Sequence, residues 1–274
     1  MAVNKRGFTL IEVLITVAII GILMGLALPA MDRAAAATQQ THCRTNLRQM
    51  SRAAIQYAIE YDGRFPPGVL YGSDADAMSG DVRAWDWHRD ASDRVRPGTL
   101  WNYTDMNEPS GVLSCPTAIG LDAAWQGDRA TGYNYNVAFI AAEARMAWSG
   151  DEGLGAWDLL IEKPNLDGLT DLRYAQCHRS GTTALFGTGG RLGGTNKFMR
   201  SPVNTGGGYD TAYAGGQSFP GGTSNVGWVD GHVSKKAHAF KGRHWDDLPV
   251  WLRDTLGWPA NGFLSDDARA YDPR

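Results

Sequence analysis

Phe8 to Met31 reads FTLIEVLITVAIIGILMGLALPAM, and this stretch decides the architecture. Its single charge is Glu12. As a helix rising 1.5 Å per residue it would be about 36 Å long, enough to cross a hydrocarbon core of ~30 Å. Before it stands MAVNKRG, in which Lys5 and Arg6 favour an N-terminus on the cytoplasmic side. Everything beyond Met31 is then expected outside the cytoplasmic (inner) membrane, held by a single span. A removable signal peptide has a shorter apolar run ending in a small-residue cleavage site. This run is too long for that, and an acid sits near its start. A carboxylate at membrane depth costs a few kcal/mol, so it either reaches toward the headgroups or has a partner.

Beyond Met31 the chain turns polar but stays helix-prone, with Ala34 to Ala37 a strong helix-former run. Cys43, Leu47, Met50, Ala54, Tyr57 and Tyr61 recur every three or four residues, one apolar stripe down a helix. Arg44, Arg48 and Arg52 line a different face and read as a solvated side. Asp62-Gly63 followed by Phe65-Pro66-Pro67-Gly68 ends the helix. Such a helix cannot bury its stripe alone, so a sheet is expected against it. The expected strands are Thr182–Phe186, Asn225–Val229 and, after a two-residue turn at Asp230-Gly231, His232–Ser234. The predicted fold class is α+β. A long helical spine, half in the membrane (8–31) and half packed on the head (32–62), carries an antiparallel β head with Gly- and Trp-rich loops (63–274).

Composition agrees with a globular head. The 274 residues carry 26 Lys+Arg against 29 Asp+Glu, a net charge of −3, which gives no reason to expect a nucleic-acid partner. Gly 34, Trp 10 and Tyr 10 point to many turns around aromatic packing. Cys43, Cys115 and Cys177 are too few for a disulfide framework or a zinc ribbon and permit at most one bridge, whose pairing stays open.

The string K-R-G-F-T-L-I-E before the apolar run resembles the leader of type IV pilins and type II secretion pseudopilins. The resemblance covers roughly the first 55 residues. It implies a leader of residues 1–7 cut after Gly7 by a prepilin peptidase, with Phe8 N-methylated as the new terminus. It also implies that Glu12 neutralises the terminal amine of a neighbouring subunit, a buried charge paired by helix packing. Pro29 matches the family's helix breaker, which kinks or locally melts the spine during assembly, in keeping with its missing N–H. The segment CRTNLRQM…AIQYAIEYDGRFPP, Leu113-Ser114-Cys115-Pro116 and Tyr133-Asn134-Tyr135-Asn136 resemble an environmental-bacterial branch of the family. So does Asn-Val-Gly-Trp-Val-Asp-Gly-His-Val at 225–233, although Pro220 stands where that branch has a His separated from Asp-Gly by nine intervening residues.

The resemblance implies a structural subunit of a pseudopilus or pilus-like filament, not an enzyme. Its partners would be prepilin peptidase, other pilin or pseudopilin subunits, an assembly-platform membrane protein and membrane lipid. No catalytic constellation appears, and His42, His88, His178, His232, His238 and His244 are scattered. Asp230 and His232 are two ligands at most, so no metal site is assigned. No cofactor is expected, with calcium in the head left open. Two rival readings share the spine: an anchored carbohydrate-binding module and a type IV pilin for adhesion or DNA uptake. The first needs the tryptophans of Trp85-Asp86-Trp87-His88, or Trp148, Trp157, Trp245, Trp251 and Trp258, exposed on one side. The favoured reading has them closing a satellite core instead.

Overall fold

The computed structural model describes residues 9–66, 68–71, 82–89, 92, 94–104, 114–116, 131–141, 145–148, 157–160, 172–189, 198–199, 201–202, 222–242 and 245–274. The chain divides into two compact units, residues 1–41 and 42–274. Helix α1, Leu10–Glu60, crosses that division.

In the first unit α1 is the whole of the described structure, and its apolar side chains from Leu10 to Met31 are exposed. It is long and apolar enough to cross a membrane. The hydroxyls of Thr16, Thr38 and Thr41 donate to the carbonyls of Val13, Ala34 and Ala37 at 2.8–2.9 Å, so these polar groups need no outside partner. The helix is continuous through Pro29.

In the second unit the rest of α1 buries Cys43, Leu47, Met50, Ser51, Ala53, Ala54 and Ala58. The first four stripe positions are among them; Tyr57 is half-buried and Tyr61 exposed, because the stripe runs off the head at the helix end. Arg44, Arg48 and Arg52 are exposed. The helix stops where expected. Asp62 takes a left-handed φ of 57° and the Gly63 N–H donates back to the Ala58 carbonyl at 2.7 Å, a Schellman-type closure.

Eleven strands are described: β1 (Val69–Tyr71), β2 (Val82–Ala84), β3 (Trp87–Arg89), β4 (Val95–Pro97), β5 (Tyr133–Asn136), β6 (Arg145–Trp148), β7 (Trp157–Leu160), β8 (Ala184–Thr188), β9 (Phe198–Met199), β10 (Thr223–Trp228) and β11 (Val233–Ala237). Helix α2, Val250–Leu256, lies near the C-terminus. Strands β1 to β4 form a meander, β6 and β7 a separate hairpin, and the main sheet has the order β11-β10-β8-β5-β9. The main sheet is not wholly antiparallel as expected: β9 runs parallel to β5, with Tyr135 opposite Phe198. A parallel neighbour needs a long connection, and residues 137–197 separate these two strands in the chain.

Alternation along the strands gives the sheet two buried faces. Tyr133, Tyr135 and Leu185 join Leu47, Met50 and Ala54 of α1 in one core. Val226 and Trp228 face the other way, onto Phe263, Leu264 and Tyr271 of the C-terminal segment. Where α1 crosses β10 there is room only for glycine: a Cβ on Gly227 would lie 2.5 Å from Ser51 Oγ. Trp85 departs from the expected satellite core. It is 0% exposed within the principal core, its ring 5.4 Å from Phe186 and 6.0 Å from Tyr135.

The hairpin at Asp230-Gly231 also differs from expectation. Gly227 pairs with Val233, the Trp228 N–H donates to the His232 carbonyl and the Gly231 N–H to the Trp228 carbonyl, both at 2.9 Å. The loop is therefore the three residues Val229-Asp230-Gly231, with Gly231 alone among them at positive φ, 87°. A two-residue type I′ turn needs both central residues at positive φ; a type I turn closed by a left-handed glycine bulge needs one.

Candidate functional site

Gly7 and Phe8, expected at the processing site, lie outside the described residues; the site begins at Thr9. Thr9-Leu10-Ile11-Glu12 forms a reciprocal cap. The Thr9 N–H and hydroxyl both donate to Glu12 Oε2 at 2.8 Å, and the Glu12 N–H donates to Thr9 Oγ1 at 3.3 Å. This is the capping box that a Thr-x-x-Glu spacing encodes. Thr9, three residues before Glu12, is the local signal for this cap, and the charge of Glu12 alone does not reveal it. The cap holds the carboxylate at the helix N-terminus, where unsatisfied N–H groups and the helix dipole favour an anion. Around it Leu10, Ile11, Val13 and Leu14 are exposed, so no part of the described chain covers this end of the spine. Pro29 likewise sits on an exposed face.

On the head side, the helix is fastened at the first turn that becomes buried. Cys43 forms a disulfide with Cys115. The Asn46 side chain donates to the Ser114 carbonyl at 3.0 Å, and the Tyr133 hydroxyl to the Cys43 carbonyl at 3.4 Å. Tyr135 donates to the Pro66 carbonyl at 2.9 Å. The Tyr-Asn-Tyr-Asn motif thus has a role in the fold: its tyrosines hold α1 and the chain leaving it. Asn136 Nδ2 donates to the carbonyls of Ala184 and Tyr271, both at 2.8 Å, joining β8 to the C-terminal segment. Burial raises the phenol pKa values of Tyr133, Tyr135 and Tyr271 and pushes the half-buried Cys177 thiol up to about 12. Cys177 is a free thiol held in its neutral form.

The other polar candidates stay apart. Asp230 and His232 meet at the hairpin tip, Oδ1 to Nδ1 2.6 Å, with His232 stacked on Trp228. His238 is buried between the Ser224 hydroxyl (2.7 Å) and the Pro259 carbonyl (3.1 Å). His42 and His178 are exposed, and His88 is half-buried in another part of the head. Among the described residues no three His, Cys, Asp or Glu side chains gather to hold a metal. Pro220 and His244 lie outside the described residues. Burial of Trp85 and Trp101 removes both from any sugar-stacking surface. Trp251 is exposed, Trp245 and Trp258 are half-buried, and positions 148 and 157 are backbone partners in the β6–β7 register.

Comparison with known proteins agrees with the placement of this site at the N-terminus. Residues 3–28 match the family described as the prokaryotic N-terminal methylation motif. The chain is 37% identical over 145 residues to the type IV major pilin protein PilA of Myxococcus xanthus (strain DK1622). That alignment takes in 48% of this chain and 63% of the pilin, less than two thirds of the relative's length. No solved structure matches the chain at a significant level. The two likenesses are to the N-terminal methylation motif and to a type IV pilin, and among the described residues the chain has one helix long and apolar enough to cross a membrane.

Proposed function

We propose that this protein is a structural subunit of an extracytoplasmic filament. Prepilin peptidase cuts after Gly7, Phe8 is N-methylated, and the spine holds the subunit in the cytoplasmic membrane with its head outside until assembly. An assembly-platform membrane protein then stacks the subunits, apolar spine against apolar spine. Glu12 receives the Phe8 amine of the neighbour, and Pro29 lets the spine yield locally. The observation that carries this reading is the basic leader and Thr-x-x-Glu cap at the head of a fully exposed apolar helix, in a segment matching the methylation motif. The Cys43–Cys115 disulfide supports a head in an oxidising compartment, where such bonds persist. Likeness to a major pilin favours a type IV pilus-like filament over a type II secretion pseudopilus. The work is structural, and no catalytic role is proposed for any side chain.

Mass spectrometry of membrane-extracted protein tests the processing. The expected N-terminus is methylated Phe8; Met1 or Ala2 at that end overturns the reading. Electron microscopy of sheared cells tests the assembly, and filaments lacking this chain would do the same.

A further inference from the structure

Among the asparagines of the chain only Asn102 has a hydroxyl residue two places on, in Asn102-Tyr103-Thr104. An Asn-x-Thr triplet is the acceptor for N-linked sugar when it lies on the surface of a secreted domain. The structure gives this triplet the access that such chemistry needs. It belongs to a 3-10 turn, Thr99–Tyr103, whose Leu100 and Trp101 are buried in the core while Asn102 is exposed. The Asn102 carboxamide is not engaged by any described residue. Thr104 leaves the turn extended, at φ −111° and ψ 139°, and its hydroxyl donates to the Trp101 carbonyl at 3.0 Å. The lone pairs of that hydroxyl stay open to a donor.

The turn packs on the end of α1, and the surface beside it has the character of a sugar platform. The Tyr103 hydroxyl donates to Glu60 Oε2 at 2.6 Å, and its ring meets Tyr57 edge-on at 5.7 Å. Tyr57 stacks on Tyr61, with centroids 4.1 Å apart and planes 11° from parallel. Tyr61 is still 51% exposed, because only one of its faces is taken by Tyr57. An open phenol ring next to a carboxylate suits a pyranose, whose C–H face lies on the ring while its hydroxyls donate to the acid.

We infer that Asn102 carries an N-linked glycan whose first sugar lies on Tyr61 beside Glu60. The inference rests on the proposed placement of the head outside the cytoplasmic membrane, where a lipid-linked glycosyl diphosphate is the donor. Asn102 Nδ2 attacks the anomeric carbon of that donor. The N–C bond forms as the bond from that carbon to the diphosphate oxygen breaks. The lipid diphosphate leaves with the electron pair, the carboxamide gives one proton to a base of the transferase, and nothing is oxidised or reduced. Thr104 is the residue by which the transferase tells Asn102 from the other asparagines.

Peptide mass mapping of the full chain purified from its own host is the test. The peptide that holds Asn102 is expected to carry a saccharide mass. Asn102→Gln and Thr104→Ala should each lose it, and Thr104→Ser should keep it. Hydroxyl-radical labelling of Tyr61 is expected to rise several-fold in Asn102→Gln, because the sugar no longer covers the ring. A bare Asn102 in the wild type overturns the inference, as does a saccharide mass that persists in Asn102→Gln. Equal labelling of Tyr61 in the two proteins overturns the placement of the sugar on that ring. Protease added to spheroplasts tells the two levels of failure apart. A head that is digested yet bare at Asn102 leaves the filament reading standing, whereas a head that stays protected defeats that reading and the glycan with it.

Discussion

On the proposed function Glu12 would carry two separable duties, and one substitution distinguishes them. As a capping residue it accepts hydrogen bonds from Thr9, which a neutral amide oxygen does equally well. As the proposed partner of a neighbour's amine it would have to be charged. Glu12→Gln is therefore expected to keep membrane insertion and leader cleavage but to lose filaments, and Glu12→Ala to lose the cap as well, at about 1 kcal/mol of helix stability. An unpaired amine buried between spines costs roughly 3–5 kcal/mol when fully desolvated, which dominates the cap. Counting sheared filaments for the wild type and both variants decides the matter. Wild-type yield from Glu12→Gln would leave the cap as the whole of its role.

At the scale of elements, the seam between α1 and β10 depends on a missing side chain. Gly227→Ala places a Cβ against Ser51 Oγ and is expected to destabilise the head by about 1–3 kcal/mol, as overpacking does. Ser51→Ala removes the clashing oxygen, so the double variant should recover most of the loss in thermal melts of the detergent-solubilised chain. The β10–β11 hairpin depends on a conformation instead. Gly231 sits at φ 87°, and Gly231→Val is expected to cost about 1 kcal/mol or more. For a head of this size that lowers Tm by about 2–4 °C. An unchanged melt would mean that the bulge does not need its glycine.

The whole head is tied together by contacts distant in sequence, and two conditions probe them. The Cys43–Cys115 bridge spans 72 residues, and closing a loop of that length removes about 4 kcal/mol of unfolded-state entropy in the chain-entropy view. The Cys43→Ser, Cys115→Ser double variant should show a matching fall in chemical-denaturation stability, and protease should then cut the chain near residue 115 first. High pH is the second probe. The Cys177 thiol and the phenols of Tyr133, Tyr135 and Tyr271 are all raised above their unfolded values by burial. Between the unfolded and folded pKa values the native state holds protons that the unfolded state releases, so stability is full below about pH 9 and falls as pH rises beyond it. Denaturation midpoints that stay level from pH 8 to 11 would contradict the burial of these groups.

The sequence by itself determined the features that repeat over short distances. The apolar run, the stripe from Cys43 to Ala54, the helix stop at Asp62-Gly63 and the glycine of the hairpin all follow from local periodicity or from a φ that few residues adopt. The capping box was equally local and open to the same reading. Tertiary structure decided which distant segments meet. The partner of Cys43, the carbonyls taken by Tyr133, Tyr135 and Asn136, the parallel place of β9 and the burial of Trp85 in the main core carry no spacing signal. Each is set by packing between segments tens of residues apart, where many pairings satisfy the same local pattern and only the filled, hydrogen-bonded interior selects one.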